Sequence, residues 1–346
     1  MTNIEQTGAS LSASYTEASS VPAEVGFRYG TSSSSLTKTV TCKNYSGTTS
    51  SFSADVLGLS AGTTYYVQSY VVVDGQTFTG SVTSFKTVAT QVPAVSGKSW
   101  LELPGAVSGS DYVVNTYYDG SNRNYTHLYD KSTYTSLWTA YPLNSSHMGF
   151  LTRPDEWTYS PSISSLHQVN LCSRSYNDGY SRGHLIPNAS RNGISAMQLQ
   201  TFYVTNAVPQ IQDNFNGGIW QNLEAALQSI AEDEEIYIVT GVAFNKVGET
   251  KSVTYTTAKD DTKSVPVPNY FYKVVLKVNK SGSTVTGASA IGFWFEHKTY
   301  SDSYTNYAVS VDQIEAWTGF DFFVNLPDTV EARAETNENW STFQSF

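Results

Sequence analysis

Cysteine is nearly absent: 346 residues carry two, Cys42 and Cys172, in different candidate domains and without metal-site company. That excludes a disulfide scaffold and predicts two free thiols. Charge is sparse as well, at 14% of residues, and acidic groups outnumber basic ones, giving a net charge of −10. Of the 20 Lys+Arg and 30 Asp+Glu, residues 1–99 hold five of each, so the remainder carries 15 against 25. The imbalance counts against capturing a polyanion by long-range attraction; any such affinity must come from a local basic patch. No apolar run approaches the roughly 20 residues of a membrane-spanning helix. No charged start followed by an apolar core marks a secretory signal in the chain as given. Internal repeats and long low-complexity tracts are missing. So is a G-x-S-x-G elbow, which disfavours a serine hydrolase.

What is plentiful is tyrosine (24 residues), with abundant Ser, Thr and Gly. That balance favours a strand-rich protein working outside the cytoplasm: secreted, periplasmic or on the cell surface. Residues 1–88 read as short β-runs separated by Gly/Ser/Asn/Asp turns at sandwich spacing. In TTYYVQSYVVV (63–73), Tyr65, Val67, Ser69 and Val71 alternate with Tyr66, Gln68, Tyr70 and Val72, and Asp74-Gly75 signals a tight turn. Leu57, Leu59 and the Gly62–Tyr65 corner resemble the fibronectin type III domain, which implies an all-β sandwich. Residues 89–97, small and proline-containing, read as a linker. In 98–346, strands are expected near 111–118, 125–141, 236–244, 266–279 and 284–296. A helix is expected at Val311–Thr318 with Ser310 as its N-cap. Residues 142–180 read as an irregular segment, and the acidic tail after Pro327 as frayed.

The chain is organised around Ser181–Glu224. Arg182, Gly183 and His184 stand in a row before an apolar step and a proline; Asn206 and Pro209 follow; an amphipathic run then begins near Phe215. On one helix, Asn216, Trp220 and Glu224 would fall four apart and share a face. A histidine can move a proton, an arginine can hold an anion, and an amide with a carboxylate can hold a hard cation or its waters. These are the parts of a phosphodiesterase.

The order RGH, N-x-x-PQ, FN-x-G-x-W-x-x-LE resembles the DNA/RNA non-specific endonuclease family of the ββα-metal nucleases. YDKSTYTSLWTAYPL (129–143), IYIVTGVAF (236–244), VPVPNYFYKVVL (265–276) and VSVDQIEAWTGFDFFVNLP (309–327) resemble further elements of that family, over roughly Lys98–Pro327. The resemblance implies an α+β domain with a ββα-metal core. It also implies sequence-non-specific hydrolysis of DNA and RNA to 5′-phosphate and 3′-hydroxyl ends.

On this reading His184 is the general base and Asn216 the direct ligand of one Mg²⁺ (or Mn²⁺), with Glu224 acting through its waters. Arg182 and Arg153 hold phosphate, with Arg191 a weaker candidate, and Asn206 orients the site or contacts substrate. Gly183 lets the backbone pass close to metal or phosphate, and Trp220 is expected in the core. Two departures stand out. Ser181 occupies the place of the family's usual Asp, which bears on support for His184. One extra residue lies between the PQ pair and Asn216. The alternative is a nuclease-fold surface protein that has lost activity and binds instead of cutting.

Overall fold

The structure, a computed structural model, describes residues 4, 8–60, 63–87 and 100–346. The linker expected at 89–97 lies outside them. The chain divides into two compact units, Met1–Pro93 with Ser108–Tyr112, and Ala94–Val107 with Val113–Phe346.

The first unit is all β: β1 (Gly8–Tyr15), β2 (Glu24–Gly30), β3 (Lys38–Cys42), β4 (Ser50–Leu57), β5 (Thr64–Val73), β6 (Gln76–Thr79) and β7 (Thr83–Lys86). β1 pairs with β4, while β3-β2-β5-β6 form a second sheet that β7 joins along β5. Leu11, Phe52 and Val56 of the first sheet meet Phe27, Tyr65, Val67 and Phe85 of the second, so alternation along each strand builds one core. Asp74 and Gly75 both adopt positive φ (49° and 78°), closing the β5–β6 hairpin as their sequence predicts. At the corner before β5, Leu59 is buried and Leu57 exposed, and the Tyr65 hydroxyl accepts a hydrogen bond from Ser60 N. Cys42 and Cys172 are both free, the former buried.

The second unit is built on a seven-stranded sheet. Its strands are β8 (Tyr112–Asp119), β9 (Asn122–Asp130), β10 (Thr135–Leu143), β13 (Ile236–Ala243), β16 (Tyr270–Ser281), β17 (Thr284–Glu296) and β18 (Ala308–Val309), in the order β18-β17-β16-β13-β10-β9-β8. Two short hairpins stand apart from it, β11 (Tyr180–His184) with β12 (Ala207–Ile211), and β14 (Tyr255–Thr256) with β15 (Val265–Pro266). The helices are α1 (Ser195–Gln200), α2 (Gln221–Asp233), α3 (Val311–Thr318), α4 (Asp328–Ala334) and α5 (Trp340–Gln344).

Alternation along β16 and β17 gives the sheet two apolar faces. Phe271, Val275, Ile291, Phe293 and Phe295 meet Phe215, Trp220, Leu223 and Leu227 from α2 and the turn before it. Leu223 is fully buried, so Leu223→Ala costs ~2–5 kcal/mol. On the other face Tyr272 stacks on Trp294, and Trp294 meets Trp317 of α3. A Cβ at Gly292 would come within 2.6 Å of Ile314 Cδ1, so the glycine is what lets α3 lie against β17. Ser310 caps α3 through its hydroxyl, as expected.

The tail departs from expectation: α4 and α5 follow Pro327, and Ala334 and Phe343 are buried. Lys277, nearly sealed inside, bonds the Phe343 and Gln344 carbonyls and pairs with Glu234 at 2.7 Å. An acidic composition concealed a few well-spaced aromatic anchors. Residues 142–180 are irregular, as read. Gln168 holds their middle, bonding Ser160 N, Ser160 O and Ile163 O from a fully buried side chain.

Candidate active site

β11 and β12 pair antiparallel, His184 opposite Ala207 and Arg182 opposite Pro209. β12 then runs into a kinked turn, Gln212–Trp220, before α2 begins. Asp213, Asn214, Gly217 and Gly218 leave helical geometry there, and Asn214 takes positive φ, which asparagine tolerates. The helix expected to carry Asn216, Trp220 and Glu224 is therefore broken between the first and the others. Asn216 and Glu224 nonetheless line one cleft of about 740 Å³, together with Arg153, Arg182 and His184. Trp220 is fully buried beneath it.

The His184 ring sits 4.7 Å from that of Trp157 and edge-on to Phe202 at 5.2 Å. The same two aromatics carry the arginines: Arg182 lies 4.8 Å over Trp157 and Arg153 5.0 Å over Phe202. Each ring face holds its guanidinium at the cleft wall, where remaining N–H groups can meet an oxyanion. Arg182 also bonds the Leu171 carbonyl at 2.9 Å. Asp155 accepts from Arg153 and from the Trp157 indole, and lies 3.9 Å from Arg182. Burial raises the Asp155 carboxyl, but those hydrogen bonds and the two arginines bring it below its ordinary value. His184 Nε2 is sealed from bulk solvent and has no hydrogen-bond partner among the described residues. Burial, then the Arg153 charge, push the imidazole down to about 3, so at neutral pH it is an unprotonated base.

On the other wall, Asn216 Nδ2 donates to Ser181 Oγ at 3.3 Å and to Gln212 Oε1 at 3.0 Å. With the amide nitrogen engaged twice, Oδ1 has no partner among the described residues and is left as the ligand atom. Ser181 also donates to Gln210 O. It therefore braces Asn216 and the hairpin, while His184 leans on Trp157 and Phe202. Glu224 lies 3.3 Å from Lys273 Nζ, which donates to Thr240 Oγ1 and sits 4.2 Å over Trp220. Burial pushes the Glu224 carboxyl up and the Lys273 ammonium pulls it back.

One expectation is narrowed, from orienting the site or contacting substrate to orienting alone, and two are corrected. Asn206 does not reach the cleft: it is fully buried, accepting from Ile186 N and donating to Ile186 O and Thr201 O. It clamps the backbone just after His184. Arg191 is no phosphate ligand either; its guanidinium is spent on Asn124, Ser190 and Pro142 inside the protein. A Cβ on Gly183 would strike the Gln210 side chain, so this glycine makes room for a neighbouring strand's residue, not for metal or phosphate. Sequence reasoning missed Asp155, Trp157 and Lys273. The last had a signal, a lone ammonium in the apolar strand YFYKVVL.

In fold, the chain is similar to one in a crystal structure of an EndoG/EndoGI complex. The TM-score is 0.53 at 20% identity, over 64% of this chain and 91% of that one. In sequence it is 28% identical over 251 residues to a nuclease of Nostoc sp., spanning 70% of this chain and 86% of that protein. It is 32% identical over 167 residues to the human mitochondrial nuclease EXOG, spanning 45% of this chain but only 43% of the human one. These similarities class it as a nuclease. Residues 109–329 match the sequence profile of the DNA/RNA non-specific endonucleases, and the chain belongs to that family.

Proposed function

We propose that the protein is a metal-dependent, sequence-non-specific endonuclease acting on DNA and RNA, with His184 as general base. The observation that carries this is convergence. An unprotonated imidazole, two arginines held over aromatic rings, an amide oxygen and a lysine-held carboxylate line the same cleft. Asn216 Oδ1 would hold a Mg²⁺-type ion and Glu224 would hold its waters; one neutral oxygen suits an ion that retains most of its hydration. When bound, such an ion neutralises charge on the phosphate and on the leaving 3′-oxygen.

The chain's own residues do the rest. Arg182 and Arg153 orient the phosphate and meet charge developing on its oxygens. The His184 imidazole takes a proton from the water that attacks phosphorus; the P–O3′ bond breaks and the leaving 3′-oxygen takes a proton from solvent, giving a 5′-phosphate and a 3′-hydroxyl. Arginines that grip phosphate leave base edges unread, which supports low sequence selectivity. The two-sheet core and the Tyr65 corner support a fibronectin type III-like reading of the first unit. Its composition supports action outside the cytoplasm.

Plasmid and RNA incubated with Mg²⁺ are expected to be cut, and EDTA to stop it. His184→Ala should lower turnover at least ~10²-fold while leaving the fold intact by circular dichroism. Intact substrate that shifts on a gel would instead identify a binding protein, and full activity in His184→Ala would remove the assigned base.

A further inference from the structure

Away from the cleft, α3 and the end of α4 bring three carboxylates together. One carboxylate oxygen from each of Asp312, Glu315 and Glu335 lies within 4.8 Å of the other two. Asp312 and Glu315 are neighbours on one turn of α3. Glu335 is locked beside them because its carbonyl accepts from Val311 N at 2.9 Å and from Asp312 N at 3.4 Å.

The cluster has an internal peculiarity. Glu335 is 4% exposed, its Oε1 is sealed from solvent, and among the described residues its side chain has neither a hydrogen-bond donor nor an ion-pair partner. Glu315 accepts one bond, from Phe322 N. The charges that bear on Glu335 come from Glu315, Glu331, Asp312 and Asp321, all negative. A buried carboxylate with no donor and no counter-charge is unfavourable by several kcal/mol.

We propose that Asp312, Glu315 and Glu335 form a second divalent-cation site, of the Ca²⁺ type, that fastens the C-terminal helices to α3. Three carboxylates from two elements supply hard oxygen ligands in loose geometry, which Ca²⁺ tolerates better than Mg²⁺. The exposed side of Asp312 leaves room for water to complete the shell. None of the three lines the catalytic cleft, so the site acts on stability and not on the reaction. Without a cation, the same crowding is relieved by a proton: burial and the four neighbouring carboxylates raise Glu335 to about 9.

The test uses the full chain stripped with EDTA, with Asn216→Ala as background to silence the cleft, and Ca²⁺ alone as probe. Millimolar Ca²⁺ is expected to raise the melting temperature by about 5 °C. In the same background, Glu335→Gln and the surface change Asp312→Asn should each abolish the rise. In the otherwise native chain, Glu335→Gln should keep Mg²⁺-supported nuclease activity within about twofold. No Ca²⁺-dependent rise in the Asn216→Ala chain, or a rise that survives both substitutions, overturns the site. If Glu335→Gln fails to fold, Asp312→Asn decides alone.

Discussion

Glu224 and Glu335 are both largely withdrawn from water and belong to opposite faces of the same sheet, yet the chain treats them differently. Glu224 is given its counter-charge: Lys273, fully buried, reaches it from β16 and is itself held by Thr240 and Trp220. Glu335, among the described residues, is given only acids. An internal cation favours the ionised carboxylate and keeps it aimed, which a reaction site needs. An all-acidic nest stays unsatisfied until something arrives from solution.

Lys273→Met breaks that contrast most severely. It strands Glu224 without its partner, at ~3–5 kcal/mol of stability by thermal unfolding, and lowers activity ~10–100-fold. Lys273→Met/Glu224→Gln should regain most of the stability and none of the activity; recovery of both would make the pair purely structural. Smaller, Ser181→Ala removes one of the two acceptors that hold the Asn216 amide and should cost ~10-fold in activity while raising the Mg²⁺ needed for half-maximal rate. Ser181→Asp, which offers that amide an acceptor again, should restore both. Glu335→Gln in EDTA should raise the melting temperature by about 2–4 °C, because it removes a buried acid from among acids.

The smallest expected effect calibrates the comparison with a group that stays neutral. His127 is fully buried between Tyr117 and Ser136, and burial pushes it down to about 3. Below its ordinary value near 6.5 the unfolded chain takes up a proton that the folded one refuses, so stability falls as pH drops from 6.5 toward 3. His127→Gln should flatten that part of the melting-temperature profile, and an unchanged slope would assign it elsewhere.

Much of this was legible in advance where periodicity or turn chemistry speaks. The β9–β10 hairpin, the α3 cap and the Asp74-Gly75 turn all depend on near neighbours. Five of the seven polar residues expected at the site line one cleft because the motif sits on a hairpin and the helix beside it. Asn206 as a substrate contact and Arg191 as a phosphate ligand were misjudged for a common reason. Spacing shows that a polar side chain is near a site, but not whether backbone carbonyls have already claimed its hydrogen bonds. Lys273, 49 residues beyond Glu224, becomes its partner only when β16 pairs into the sheet. The cluster on α3 and α4 was hidden by a tail whose composition suggested no packing at all.

The contact between Gly183 and Gln210 reaches past this one molecule. Because the missing side chain of one strand is the space that the other's amide fills, neither position can change size alone. Over a lineage the two should drift as a couple, a bulkier 183 arriving only with a slimmer 210, and a screen of paired substitutions would find viable combinations along that diagonal.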